Sequence, residues 1–175
     1  MKSKMDEEII KLAKSLAQTS IQKLHQKEDF RPGIDEVPVT GKVFDETDIF
    51  GAIIASAEFW LTSGHFSKEF ETLLSKKINA KKTLLVNSGS SANLLALSAL
   101  TSSKLGVGAL KPGDEVLTVA AGFPTTVTPI LQNKLIPVYV DVNIPTYVAN
   151  VDQIEAAINT KTRAIMMAHT LGNPF

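Results

Sequence analysis

The chain has 175 residues, 44% of them hydrophobic and 21% charged, which suits one globular domain or a piece of a larger one. Eighteen basic and eighteen acidic side chains cancel, so no overall field draws the chain to nucleic acid or to an anionic membrane. No run is apolar for long enough to cross a bilayer, the acid-bearing MKSKMDEEII start lacks a signal-peptide core, and the absence of cysteine excludes disulfides and cysteine-ligated metal among these residues; a cytoplasmic protein is the expectation.

Residues 5–24 are predicted to form an amphipathic helix, because Ile9, Leu12, Ala13, Leu16, Ala17, Ile21 and Leu24 fall on one face. Periodicity is lost over 26–47, where Pro32-Gly33, Pro38 and Gly41 punctuate an extended arm or ordered loop. Phe30, Ile34, Val37, Val39, Val43 and Phe44 make that arm too apolar for a disordered linker, so it is expected to lie on its own domain or on a neighbouring subunit. A second helix is predicted over 48–61, with Ile49, Ile53, Ile54, Ala57 and Trp60 in phase. That phase gives Trp60 a core or interface role in preference to that of a ligand platform. Thr62-Ser63-Gly64 closes this helix, and a third is predicted over 67–79 with Phe70, Leu73, Leu74 and Ile78 inward.

From Lys82 to Leu100 the pattern reads strand, tight turn, helix: Thr83-Leu84-Leu85-Val86, then Asn87-Ser88-Gly89-Ser90-Ser91, then an apolar helix. A helix opening with unpaired backbone N–H groups and hydroxyls suits a phosphate or another anion. Taken alone, the turn is more commonly explained by Ser88 or Ser90 as a simple N-cap, the usual role of serine there. Gly106-Val107-Gly108 is not a dinucleotide fingerprint, since it follows a helix and Lys111 stands where the third glycine belongs. Strands are predicted over 114–120, 136–142 and 163–169, and helices over 121–133 and 151–159. The strands are apolar without clean alternation, which marks parallel strands buried on both faces. Ligands in such sheets sit beyond the carboxyl ends of the strands, where residues 87–91, 121–126 and 169–173 fall. His25, His65 and His169 show no metal-ligand spacing. A parallel sheet ending straight after its fourth strand leaves an edge and a face bare, so the chain is expected to be the N-terminal part of a longer protein.

The ordered series Thr62-Ser63-Gly64, Asn87-Ser88-Gly89-Ser90-Ser91-Ala92-Asn93, Pro112-Gly113-Asp114-Glu115-Val116, Gly122-Phe123-Pro124-Thr125-Thr126, Val140-Asp141-Val142 and His169-Thr170-Leu171-Gly172-Asn173-Pro174 resembles the DegT/DnrJ/StrS family of sugar aminotransferases. The N-terminal helix, the arm and the HTLGNPF ending look most like its CDP-4-dehydro-6-deoxyglucose 3-dehydratase branch, of lipopolysaccharide O-antigen biosynthesis. The resemblance implies the α/β fold type I large domain of pyridoxal-phosphate enzymes, a mostly parallel sheet with flanking helices. Residues 1–47 would be an N-terminal helix and arm, and 48–175 the first part of that cofactor-binding domain.

It also implies roles. Gly89, Ser90 and Ser91 would hold the phosphate of pyridoxal or pyridoxamine 5'-phosphate, and Phe123 would stack on its ring, where relatives often carry Trp or Tyr. Asp141 would be structural, and residues 169–173 would lie close to the cofactor without gripping it. The residue that handles the substrate proton, lysine in the aminotransferases and histidine in the dehydratases, lies beyond residue 175 in the family pattern. An iron–sulfur (2Fe–2S) cluster belongs only to a full-length dehydratase. A CDP-linked keto sugar as substrate, a homodimer and a reductase partner are implied too. A nucleotide-sugar aminotransferase on the same scaffold, and a catalytically incomplete fragment of either enzyme, are the alternatives.

Overall fold

The computed structural model describes residues 5–25, 29–38 and 40–174, and the chain divides between Leu85 and Val86 into two compact units. The expectations for residues 26–28, Val39 and Phe175 lie outside the described residues. Among the described residues no helix is long and apolar enough to cross a membrane.

The first unit holds α1 (Glu7–Leu24), α2 (Glu46–Glu58) and α3 (His65–Lys77). Asp6 caps α1 by accepting from the Glu8 N–H at 2.8 Å. Ala13 and Ala17 are buried, while Leu12 and Leu16 of the same predicted face are exposed. In the arm, the Phe44 ring meets His25 edge-on at 4.9 Å, whereas Phe30, Ile34, Val37 and Val43 are exposed.

α2 opens with a reciprocal capping box: the Asp45 carboxylate accepts from the Thr47 N–H, and the Asp48 carboxylate accepts from the Asp45 N–H at 2.9 Å. The Thr47 hydroxyl also donates to Asp45, and these bonds hold the Asp45 carboxyl below its ordinary value. A carboxyl with a lower pKa folded than unfolded adds stability that is complete above the ordinary carboxylate range and is lost as pH falls through the folded value. Acid titration followed by far-ultraviolet circular dichroism should therefore show α2 fraying below that range. Asp45→Asn, which still caps but does not titrate, should flatten this part of the transition. Identical acid curves for the two proteins would remove the box as its cause.

α2 stops because Phe59 takes a left-handed conformation, φ 48°. Trp60 therefore lies outside the helix and is 67% exposed, which corrects the core alternative of its expected core or interface role. Its indole N–H donates to the Ser63 carbonyl at 3.2 Å. Gly64 lets the ring sit there, since a Cβ at that position would lie 2.9 Å from Trp60 Cδ1.

The expected strand over 83–86 does not join a ladder. Two of its polar groups go to α3 instead: the Leu85 N–H donates to Glu71 Oε1 and Thr83 Oγ1 accepts from the Ser75 hydroxyl, both at 2.8 Å. Leu84 and Leu85 remain exposed.

The second unit holds α4 (Gly89–Ala99), β1 (Glu115–Val119), α5 (Pro124–Gln132), β2 (Ile136–Val140), a small antiparallel pair of β3 (Val142–Asn143) and β4 (Val148–Ala149), α6 (Val151–Ala157) and β5 (Thr162–Ile165). The main sheet is parallel in the order β2-β1-β5, so among the described residues it has three strands where four were expected. β1 is central and buried on both faces. Val116 packs with Leu97, Leu110, Ile130 and Leu135 on one side; Leu117 and Val119 pack with Val140, Ala149 and Ile154 on the other.

The third predicted strand breaks at Asp141, whose N–H is taken by Gln153 Oε1 and whose own Oδ1 accepts from the Val142 N–H, each at 2.8 Å. That carboxylate turns the chain, as a structural acid at a strand end does. β5 ends at Ile165, though the Met166 N–H still reaches the Leu117 carbonyl at 2.9 Å. A single 3₁₀ turn, Thr170–Gly172, follows, and Asn173 Nδ2 donates to the Thr146 carbonyl at 3.0 Å.

Candidate functional site

The polar turn after Val86 becomes the start of α4. Ser88 is its N-cap, with extended backbone and a hydroxyl that accepts from the Ser91 N–H at 3.2 Å and lies equally far from the Ser91 hydroxyl. The capping role falls to Ser88 and leaves Ser90 to the solvent side of the first turn, where its hydroxyl is exposed. Ser91 spends its amide inside the turn. Gly89 and Ser90 occupy the first two helical positions, whose N–H groups have no acceptor within a helix. Two open amides, one open hydroxyl and the positive end of an eleven-residue helix form a donor set for a phosphate monoester.

Phe123 stands at the start of the helix that packs against α4. It is the N-cap residue of α5, four positions past the end of β1, and Pro124 follows at the first helical position, where its missing N–H costs nothing. The ring is 70% exposed, so a π-face is open to a flat ligand. Gly122 permits the tight turn behind it, because a Cβ there would lie 3.2 Å from Val119 Cγ2.

One bond draws the two openings together. Asn93, three residues along α4 from Ser90, donates through Nδ2 to the carbonyl of Thr125, two residues along from Phe123, at 3.3 Å. The residues expected from the sequence, Gly89, Ser90, Ser91 and Phe123, thus sit within about a turn of a single inter-helix contact. Asn93 was part of the motif and carried no expected role. Its partner, 32 residues away in sequence, was not readable from local pattern.

A separate hollow of about 870 Å³ lies within the first unit, lined by Met5, Ile9, Trp60, His65 and Glu71 among others. Three pairings cross or border it: Glu58 with His65 at 2.7 Å, the Trp60 indole N–H with the Ser63 carbonyl, and Glu71 with the Leu85 N–H. Among the described residues no group of three His, Asp or Glu side chains is placed to hold a metal ion.

A model of the DegT/DnrJ/EryC1/StrS aminotransferase family matches residues 45–175. The lipopolysaccharide biosynthesis protein RfbH of Salmonella typhimurium is 57% identical over 146 residues, 83% of this chain and 33% of that protein. The dTDP-4-dehydro-2,6-dideoxy-D-glucose 3-dehydratase of Saccharopolyspora spinosa is 47% identical over 96% of this chain and 37% of its own length. The chain therefore spans about a third of the length of these relatives.

Among solved structures, a GDP-4-keto-6-deoxymannose 3-dehydratase with a trapped PLP-glutamate geminal diamine matches 74% of this chain and 33% of its own, at 31% identity and a TM-score of 0.66. The PLP form of a putative sugar aminotransferase from Streptococcus pneumoniae matches 79% of this chain and 33% of its own, at 28% identity and a TM-score of 0.67. The fold is that of the PLP-dependent aminotransferase-type enzymes, as expected, in the part that this chain covers.

Proposed function

The chain belongs to the DegT/DnrJ/EryC1/StrS aminotransferase family, and on that premise we propose that it is the N-terminal portion of a pyridoxamine-phosphate-dependent CDP-4-keto-6-deoxyglucose 3-dehydratase. The observation that carries this reading is the pairing of two helix starts, one with open donors and one with an open aromatic ring, joined by the Asn93–Thr125 bond. Likeness to a lipopolysaccharide biosynthesis protein and to two sugar 3-dehydratases supports the lyase chemistry; the CDP group rests on the branch resemblance alone.

When bound, pyridoxamine phosphate supplies an amine for the keto carbon of the sugar and an electron sink for loss of the neighbouring hydroxyl. This chain's residues do the holding. The Gly89 and Ser90 amides and the Ser90 hydroxyl would take the phosphate, and Ser91 would keep that turn closed through Ser88. The Phe123 ring would cover one face of the pyridine and exclude water from it. The proton-handling side chain belongs to a later part of the protein, and a histidine there separates the dehydratase from the aminotransferase. A 2Fe–2S cluster, a reductase partner and a homodimer complete the proposal for the full-length enzyme.

The second reading is a nucleotide-sugar aminotransferase, supported by likeness to the putative sugar aminotransferase and to a sugar-phosphate:glutamate aminotransferase of Bacillus subtilis at 31% identity. The full-length protein, given pyridoxamine phosphate and CDP-4-keto-6-deoxyglucose labelled at the C3 oxygen, should release that label to water. With glutamate present it should form no amino sugar. Appearance of an amino sugar with the label retained would overturn the dehydratase in favour of the aminotransferase.

A further inference from the structure

The bond between α4 and α5 has a cause in sequence. In an α-helix the carbonyl of residue i accepts from the N–H of residue i+4. For Thr125 that residue is Pro129, which has no N–H. Pro129 is buried inside α5 beside the fully buried Ile130, so the carbonyl that it leaves open needs a donor from within the protein. Asn93 Nδ2 supplies that donor from the facing helix at 3.3 Å.

The far end of the same pair is fastened in a similar way. Asn133 Nδ2 donates to the Pro129 carbonyl at 2.8 Å and to the Ser98 hydroxyl of α4 at 3.1 Å. Two carboxamides therefore bolt α4 to α5, one near the helix starts and one near the ends, and both bolts involve the environment of Pro129.

We propose that Asn93 is a positioning residue for the cofactor site: by filling the carbonyl that Pro129 leaves open, it sets the separation between the Ser90 turn and the Phe123 ring. This rests on the pyridoxamine-phosphate reading above. In that molecule phosphate and ring are joined by a single CH₂–O link, so both grips close only when their spacing fits. A ligand held at two points binds more tightly than either half because the second contact is intramolecular once the first is made. Asn93 touches neither half, so it acts on the coupling between them.

The test uses the full-length protein with Asn93→Ala and with the pair Asn93→Ala/Pro129→Ala. The single substitution strips the Thr125 carbonyl of its donor and lowers thermal stability. Alanine at 129 restores an N–H inside α5, so the pair regains stability without regaining the tie to α4.

Three probes are titrated by calorimetry: pyridoxamine phosphate, inorganic phosphate and pyridoxamine. In the double variant pyridoxamine phosphate should bind about tenfold more weakly, the scale of one lost contact, while the two half-ligands change by less than about twofold. The near-ultraviolet circular dichroism of the bound ring should fall as well. Unchanged pyridoxamine-phosphate affinity and dichroism in the double variant would overturn the proposal. Equal weakening of all three probes would also overturn it, since Asn93 would then merely keep the helices folded. A wild-type protein that binds no pyridoxamine phosphate would remove the cofactor reading itself and this proposal with it; tight wild-type binding with an unaltered variant would remove the positioning role alone.

Discussion

Replacing both Ser90 and Phe123 by alanine in the full-length protein should weaken pyridoxamine-phosphate binding about a hundredfold, roughly 2.7 kcal/mol. Ser90→Ala removes one hydroxyl donor to a charged acceptor, an interaction worth about 1.5–3 kcal/mol where the acceptor is an ion, so about tenfold or more is expected from it alone. Phe123→Ala removes a stacking face, worth about 1–3 kcal/mol for a flat heteroaromatic ring. On the proposed reading the two side chains would grip opposite ends of the ligand, which favours near-additive losses.

Competition separates the two contributions. Added inorganic phosphate should displace the cofactor from wild type and from Phe123→Ala, because both keep the α4 turn, and should do so less effectively in Ser90→Ala. Equilibrium dialysis over a range of cofactor concentration gives all four affinities. If Ser90→Ala binds as wild type does, Ser90 is no more than an exposed first-turn hydroxyl, and the anion site rests on backbone amides alone.

The two turns that make up the candidate site were legible in the sequence, and the reason is local. Asn87 to Ser91 and Gly122 to Thr126 are each a turn into a helix start, and a helix start advertises itself through caps and proline. Distinguishing Ser88 from Ser90 as the cap needed coordinates, because both are serines within reach of the same amides. β1 was equally legible: Val116, Leu117 and Val119 form a run without alternation, and the strand is buried on both sides. Two readings failed for non-local reasons. The segment over 83–86 has strand composition, but a strand exists only with a partner, and the Leu85 N–H turns to Glu71 on α3. Trp60 left the helix because Phe59 adopts φ 48°, a conformation that glycine or asparagine would have signalled and phenylalanine does not. The Asn93–Thr125 tie was half readable, since Pro129 four places after Thr125 announces an open carbonyl. Nothing in the sequence names the donor 32 residues away that fills it.

The largest stability effect should come from β1. Leu117 is fully buried, paired to Val138 on one neighbour and Ile165 on the other, and packed against Val140, Ala149 and Ile154. A central strand held from both sides cannot collapse into the space that alanine would leave, so Leu117→Ala should cost about 3 kcal/mol. The next residue should behave in the opposite way. Thr118 is also fully buried, yet its Oγ1 has no hydrogen-bond partner among the described residues. Valine keeps the shape and omits the stranded hydroxyl, so Thr118→Val should gain about 1–2 kcal/mol. Denaturant midpoints at unchanged m-values would report both. A loss in Thr118→Val would mean that the hydroxyl has a partner, such as a buried water, and that β1 depends on it. Because the residues are adjacent, a general intolerance of the strand to change would give both substitutions the same sign, whereas packing against an orphaned polar atom requires opposite ones. The consequence reaches the site, since Phe123 stands four residues past the end of this strand. Loosening β1 through Leu117→Ala should blur the position of the ring and weaken cofactor binding along with stability, while Thr118→Val should leave binding as it was.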